Sequence, residues 1–557
     1  MSALVLMQRA GAAVAQFCLA HFKFGSVCVV CGKGNNGGVG LAAAEALRAM
    51  AEKVSVIVLA QNASMLSPDA AAMGSRLQLE PIWVADESAF ASDVVHEALS
   101  ADIILDAVAG AGFKPPLRDL ARRAVDAIND AFGTVVAVDL PSGVNPDITR
   151  PAHETGEDMV FAHGIITFIA PKPAHAFGEL TSGPIAVSEI GVQPVLVPNQ
   201  TKLNVITGQE VGIAFPPRPR DANKGLFGHV LVVAGSQGKA GAAALAGMAA
   251  LSTGAGLVTV ACPRSIQATV AGFAPEMMTE GLAETDEGSI AMAASNKVER
   301  LLVGKGAVVL GPGLSRHPET EEFARWLVAA CPAPLVLDAD GLNAFDGQLA
   351  QLKLRGESAP FRVLTPHPGE AARLLGVSIK EIQADRIETA KRISGATGSC
   401  VVLKGSRTVV AGLSGETWVN MTGNPALAKG GTGDVLSGMI GAALARNSAS
   451  DPSPESGGGP EAKAAKTWMH EIYGTDSREK QRKYLAQELR RNSALASTFL
   501  RDVSAVAAVH LHGLAGDFAR DMLHENTVLA GNLAEHLSEA FRECEQQVEH
   551  ELFYLQR

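Results

Sequence analysis

Large rings are scarce in this chain of 557 residues: 19 Phe, 4 Trp and 3 Tyr make up only 5% of it. A composition of 47% hydrophobic residues with 57 glycines suits α/β layers joined by tight strand-to-helix turns. Excess positive charge is also missing. With 47 Lys and Arg against 58 Asp and Glu, the formal charge of −11 excludes the broad basic surface of a general nucleic-acid binder, while a phosphate site needs only local donors. Cysteine is sparse: Cys18, Cys28, Cys31, Cys262, Cys331, Cys400 and Cys544 are odd in number and widely spaced, unlike a disulfide framework. Cys28 and Cys31 form a CxxC, but within the β-branched run SVCVVCG, where thiols three residues apart on a strand face opposite sides. That reads as a structural pair, not a redox or zinc pair. No apolar run reaches the ~18 residues of a membrane span, and a signal-peptide pattern is missing at the N-terminus. The expectation is a soluble cytoplasmic protein that binds neither membrane nor nucleic acid.

A chain of this length exceeds one core. Strand patterns at 26–31, 54–59, 103–107, 134–139 and 164–169 alternate with helical patterns at 41–50 and 117–132, the rhythm of a parallel sheet covered on both faces. Residues 1–200 therefore read as one domain. The stretch 201–222, ending in a proline-rich cluster, reads as a linker. From 223 to 557 the alternation resumes, with strands expected at 228–234, 257–261, 307–310, 334–338 and 399–404, and helices at 242–253 and 503–515. An insertion at about 446–501, opening with SASDPSPESGGGPE, interrupts this second domain and reads as a solvated arm.

In the first half, GKGNNGGVG (residues 32–40) follows a strand and opens a helix, the setting of a dinucleotide or phosphate loop, although it is not a strict GxGxxG. The side-chain carbonyls of Asn35 and Asn36 suit a monovalent cation or a ligand amide. Asp106 opens DAVAGAGFKPP and Asp139 opens DLPSGVN, where Ser142 presents a hydroxyl. Ligands of parallel sheets bind at strand carboxyl ends, so these three loops point to one shared site.

In the second half, GNPALAKGGTGDVL (423–436) sets a glycine-rich anion cradle before a lone carboxylate. Gly430, Gly431 and Gly433 allow N–H groups to converge, and a helix over 435–444 would aim its positive end at the same spot. Asp434 there can take a proton from a hydroxyl while amides hold a phosphate. His367, between two prolines of LTPHPGE, reads as a ligand contact in a rigid loop. Lys404, in VVLKGSRT, offers a cation to a nucleotide phosphate. Asp338 and Asp340, in LDADGLN, suit Mg2+ through water or cap the next helix.

Together with QRAGAAVA, NKGLFGHVLVVAGSQGKAGAA, APEMM and GPGL, these segments resemble, in order and over most of the chain, the bifunctional NAD(P)H-hydrate repair enzymes. The resemblance implies an α/β protein: an N-terminal Rossmann-like three-layer domain that interconverts R and S hydrates, and a C-terminal ribokinase-like α/β domain. The latter would pass the terminal phosphate of ADP, with Mg2+, to the hydroxyl of (S)-NADHX or (S)-NADPHX; loss of that phosphate returns NADH or NADPH and leaves AMP. ATP is an alternative donor. Asn36, Asp106 and Ser142 match the family's K+ ligands, and Asp139 its substrate-contacting acid. Asn35, Asn36, Gly37, Gly38 and Val39, and the loop Gly110, Ala111, Gly112, Phe113, Lys114, Pro115 and Pro116, match its substrate loops. In the second domain Ala242, Gly313, His367 and Asp434 match the substrate site; Lys404, Gly405, Ser406, Arg407, Thr408 and Gly433 match the nucleotide site. A homo-oligomer is expected.

The departures fall in the first half. Val39 replaces an acid of NNGGDG, Ala111 replaces a threonine, residues 161–164 lack an Asp, and the leading helix is expected to be shortened or missing. These leave open an epimerase half that serves as a scaffold. The rival readings are a vitamin-precursor or sugar kinase on the same ribokinase-like fold, or a non-catalytic dinucleotide-binding scaffold.

Overall fold

The computed structural model describes residues 2–192, 202–354, 359–449, 493–546 and 552–556. Most of the expected 446–501 insertion lies outside the described residues. The chain divides into two units: Met1–Pro198 with Glu549–Arg557, and Asn199–Val548.

The first unit is built on β1 (Ser26–Cys31), β2 (Lys53–Val58), β3 (Ile82–Trp83), β4 (Ile103–Ala107), β5 (Thr134–Val138), β6 (Gly164–Phe168) and β7 (Ile185–Ser188). These pair in parallel in the order β7-β6-β5-β4-β1-β2-β3, so strand order reverses between β1 and β4, opening a crevice at their carboxyl ends. The β-branched runs are buried on both faces, as a covered parallel sheet requires. One face packs Met7, Val14, Phe17 and Cys31, the other Cys28, Phe90, Leu117 and Ile128. The two thiols thus point to opposite faces as expected, and burial pushes the Cys28 thiol up to about 12, leaving it inert.

The helix Ala3–His21 leads this unit and carries the QRAG segment within it. By length and mean hydropathy, 1.4, it is apolar enough to cross a membrane, contrary to the expectation of no such segment. Gln8, Arg9 and Gln16 interrupt its apolar runs, yet its alanines keep the average high. Its Met7, Val14 and Phe17 side lies in the core. A Cβ on Gly11 would lie 2.5 Å from the Ala42 carbonyl carbon, so only glycine permits this approach to the Asn35–Leu47 helix.

The second unit contains β8 (Leu203–Val205), β9 (His229–Val233), β10 (Leu257–Pro263), β11 (Met278–Leu282), β12 (Ala307–Leu310), β13 (Leu335–Leu337), β14 (Arg362–Leu364), β15 (Cys400–Leu403), β16 (Val409–Ala411) and β17 (Thr417–Val419). The order is β11-β10-β9-β12-β13-β14-β15-β16-β17-β8, parallel through β15 and antiparallel across β15-β16-β17. Here the reversal falls between β9 and β12. The helix Thr432–Ala449 lies close to Ala240–Ser252: a Cβ on Gly438 would come 2.1 Å from the Ala246 carbonyl oxygen. The expected 503–515 helix extends over Ser493–Leu523.

Two boundaries differ from expectation. Residues 201–222 are not a bare linker: β8 is an edge strand of the second sheet, and Gly208–Ala214 is a helix that buries Val211 and Ala214 in its core. A three-residue strand carries no alternation to read. The last strand, β18 (Leu552–Gln556), pairs antiparallel with β7 and so belongs to the first unit, not to a domain running from 223 to 557.

Candidate active sites

In the first unit, the loops after β1, β4 and β5 meet at one edge. Asp106, at the end of β4, is fully buried. Its Oδ1 accepts the Ser142 hydroxyl (2.6 Å) and the Val108 N–H (3.2 Å), and its Oδ2 accepts the Ser142 N–H (2.7 Å). Burial pushes this carboxyl up to about 6 against those hydrogen bonds, and no cationic side chain pairs with it among the described residues. Asn36 donates through Nδ2 to the Val138 carbonyl (3.2 Å). A buried carboxylate held only by neutral donors, with a hydroxyl and a side-chain amide beside it, is an oxygen set that fits a hard monovalent cation.

Asp139 follows β5 at φ 70°, a left-handed conformation that a non-glycine residue adopts only under constraint. Oδ2 accepts the Ala111 N–H (2.8 Å); Oδ1 accepts the Thr167 hydroxyl (2.8 Å) and the Lys172 ammonium (2.6 Å). Burial raises its pKa, but Lys172 and these donors outweigh that and hold the carboxyl below its usual range. Lys172, Thr167 and His175 escaped sequence reading. The usable signal was position: Lys172 lies just past the carboxyl end of β6, between Pro171 and Pro173.

The departures in this half leave Asn36, Asp106, Asp139 and Ser142 in place. Val39 packs against the apolar cluster around Phe17, Ala111 serves through its backbone N–H, and residues 161–164 lead into and open β6, at the end of the strand away from the site. Asn35 is occupied by the Ser67 hydroxyl (2.8 Å). Gly37 approaches Gly32, where a Cβ would meet the Gly32 carbonyl oxygen at 1.9 Å, and Gly38 approaches Met7. Phe113 packs on the second apolar cluster, Lys114 is exposed, Gly112 faces open space, and Pro115–Pro116 is a cis bond.

In the second unit, the loops after β9, β12, β13, β14 and β15 gather around Asp434. This residue lies half-buried in the first turn of Thr432–Ala449, which starts three residues earlier than expected, inside the glycine loop. Burial, reinforced by Asp338, pushes its carboxyl up to about 7, with Lys404 opposing. The Lys404 ammonium is 2.7 Å from Asp338 Oδ1 and 3.9 Å from Glu370 Oε2. Burial disfavours its charge, but Asp338 and Glu370 outweigh that and raise its pKa. Asp338 therefore neither caps a helix nor stands free: Thr365 and Lys404 share its Oδ1, while its buried Oδ2 has no hydrogen-bond partner. A Cβ on Gly433 would lie 3.4 Å from the Lys404 nitrogen, so the cradle and the lysine are neighbours.

Arg386, also unforeseen, donates to the carbonyls of Leu403, Lys404 and Ser406 and thereby fixes the 404–408 loop. Gly405, at φ 145°, passes so close that a Cβ would meet Arg386 Nη1 at 2.7 Å. The Arg407 guanidinium reaches the Met421 carbonyl (2.9 Å), and the Thr408 hydroxyl donates to Gly405 (3.0 Å). His367 has a role that sequence reading did not weigh: it caps the helix Pro368–Leu375, its Nδ1 accepting the Gly369 N–H (3.0 Å), while its side chain stays half-exposed. Ala242 and Gly313 are neighbours: a Cβ on Gly313 would lie 2.9 Å from that of Ala242. Beside them Lys239 pairs with Asp340 (3.1 Å). Among the described residues no cluster of three or more His, Cys, Asp or Glu is placed to hold a metal ion.

Two α/β units, each with polar loops at the carboxyl ends of a mainly parallel sheet, define a two-site protein that is Rossmann-like in its first half and ribokinase-like in its second. Residues 3–174 match the family model described as YjeF-related protein N-terminus, and residues 230–494 that of NAD(P)H-hydrate dehydratase. The bifunctional NAD(P)H-hydrate repair enzyme Nnr of Moorella thermoacetica is 34% identical over 562 residues, 98% of this chain and 94% of that protein. The Escherichia coli Nnr is 34% identical over 442 residues, 79% of this chain and 80% of that protein. A solved ADP/ATP-dependent NAD(P)H-hydrate dehydratase from Bacillus subtilis, co-crystallized with ATP/Mg2+, is 26% identical, with TM-score 0.45 over 61% of this chain and 98% of its own. The chain belongs to the bifunctional NAD(P)H-hydrate repair enzymes, which join an epimerase unit to a dehydratase unit.

Proposed function

We propose that the second unit dehydrates (S)-NADHX and (S)-NADPHX with ADP as phosphoryl donor, and that the first unit supplies the S form by epimerisation. The observation that carries the dehydratase reading is Asp434. Its carboxyl, pushed up to about 7, is a base near neutrality in the first turn of a helix, beside a glycine cradle. Asp434 takes the proton of the hydrate's hydroxyl, whose oxygen attacks the β-phosphorus of ADP. The bridging P–O bond breaks and AMP leaves. The ring then expels phosphate, losing a proton from the neighbouring carbon, and the double bond of the dihydronicotinamide returns. Helix N-terminal amides and Lys404 stabilise charge on the moving phosphoryl group, and Lys404 to Thr408 with Gly433 hold the nucleotide. Mg2+, when bound, would enter with the nucleotide's phosphates and supply the charge that neutralises them. Ala242, Gly313 and His367 position the substrate.

In the first unit, Asp139 contacts the hydrate, and the loops at Asn35–Val39 and Gly110–Pro116 hold its nucleotide portion. K+ would be held by Asn36, Asp106 and Ser142, where it offsets the buried carboxylate. Asn36, Asp106, Asp139 and Ser142 are all present and drawn together despite Val39 and Ala111, which supports a working epimerase. The test is Asp434→Asn: kcat for (S)-NADHX with ADP should fall by about 10²–10⁴ while ADP still binds by calorimetry. Undiminished turnover would overturn the assignment.

A further inference from the structure

Epimerisation at the hydroxyl-bearing carbon needs an acid, and the first unit offers few. Asp139 is an acceptor: both carboxylate oxygens are engaged by donors, and it is held in the charged form. Asp106 is sealed behind Ser142. His175 is buried and fully bonded. Its Nδ1 accepts the Lys172 backbone N–H (2.9 Å), so its Nε2–H donates to the Asp139 carbonyl (2.8 Å), and burial pushes its pKa down to about 4. The tautomer is fixed, and the ring locks the strained Asp139 backbone.

Lys172 differs from all three. Its side chain is 23% exposed, and its ammonium spends two of its three hydrogens, on Asp139 Oδ1 (2.6 Å) and Thr167 Oγ1 (2.7 Å). The third has no acceptor among the described residues. The loop after β4 closes on the pair: a Cβ on Gly110 would lie 2.9 Å from Asp139 Oδ2 and 3.0 Å from Asn36 Oδ1, so only glycine fits there. Four loops, after β1, β4, β5 and β6, thus converge on a lysine–aspartate pair with one free donor.

We propose that Lys172 is the acid–base residue of the epimerase, delivering a proton to the leaving hydroxyl through that free hydrogen. The inference rests on the first unit's binding the hydrate. As the carbon–oxygen bond breaks, the ring nitrogen's lone pair forms a carbon–nitrogen double bond, and the hydroxyl leaves as water with the Lys172 proton. Water then adds to the opposite face and gives its proton to solvent, from which the Lys172 amine is reprotonated. No oxidant or reductant is needed. Asp139 keeps the ammonium aimed and paired, which makes it a positioning residue in this step.

The experiment follows R-to-S exchange of NADHX by chromatography without nucleotide, on full-length protein. Lys172→Ala should lower exchange kcat at least about 100-fold with KM changed less than about threefold, and added methylamine should restore part of the rate. ADP-dependent dehydration of (S)-NADHX should not change. Lys172→Arg keeps the charge and the pairing but holds its proton too tightly to release it, so it should fold normally and still lose most of the exchange. Wild-type exchange rates in Lys172→Arg, or in a folded Lys172→Ala, would overturn the proposal. No exchange in the wild-type protein would instead overturn the underlying epimerase reading.

Discussion

Asp139 and Asp434 both stand where strands of a parallel sheet deliver their loops, one in each unit, yet their surroundings tune them in opposite directions. Asp139 has a lysine of its own, a hydroxyl and an amide, and stays charged below the usual carboxylate range. Asp434 has a lysine nearby, but that lysine is committed to Asp338, and burial with a neighbouring acid lifts Asp434 to about 7. The lesson is that the partner of the nearest cation, more than burial alone, decides whether a half-buried acid holds a charge or trades a proton.

The largest break of this comparison is to take away the tradeable proton. Asp434→Asn should cost about 10²–10⁴ in dehydratase kcat and leave R-to-S exchange untouched, as separate assays of the two reactions would show. Lys404→Met comes next: it strands Asp338, only 1% exposed, without its partner, and should destabilise the second unit by about 3–5 kcal/mol in denaturant unfolding.

The pH profiles should separate the two acids. Asp434 must be ionised to accept a proton, so dehydratase kcat should be low below pH 7, half-maximal near 7 and rising above it. Asp139 is already ionised well below that, so its contribution to exchange should persist through the same range. Gly110→Ala, which sets a methyl 2.9 Å from Asp139 Oδ2, should slow exchange about tenfold without affecting dehydration. The smallest effect is expected at Cys31. Buried against the first apolar cluster, its replacement by alanine should cost about 1–2 kcal/mol in thermal unfolding and nothing in either activity, with or without reductant.

Legibility in the sequence followed the length and chemistry of each element. β1, β4 and β12 stand at the expected residues because their β-branched runs are bounded by turn residues. Helix starts fall earlier than the sequence pattern signals: Asn35–Leu47 and Thr432–Ala449 begin inside glycine loops, where Gly and Asn signal a turn although the backbone is already helical. The strands β8, β16 and β17 have three residues each, too few to carry a period. Among the site residues, those in glycine-rich or aspartate-bearing turns stood out. Lys172 and Arg386 did not, because an isolated Lys or Arg reads as surface until the fold turns it on an aspartate or a row of carbonyls. His367 shows a missed local rule: His-Pro-Gly-Glu is a capping arrangement, with Glu370 returning its carboxylate to the His367 N–H (2.8 Å).

The most direct test follows the return of reduced-nicotinamide absorbance from a mixture of R and S hydrates, with ADP and Mg2+. The account predicts complete recovery, faster than spontaneous epimerisation allows, with both units contributing. Recovery that stops once the S portion is spent would contradict a working first unit, and no ADP-dependent recovery at all would contradict the role given to Asp434.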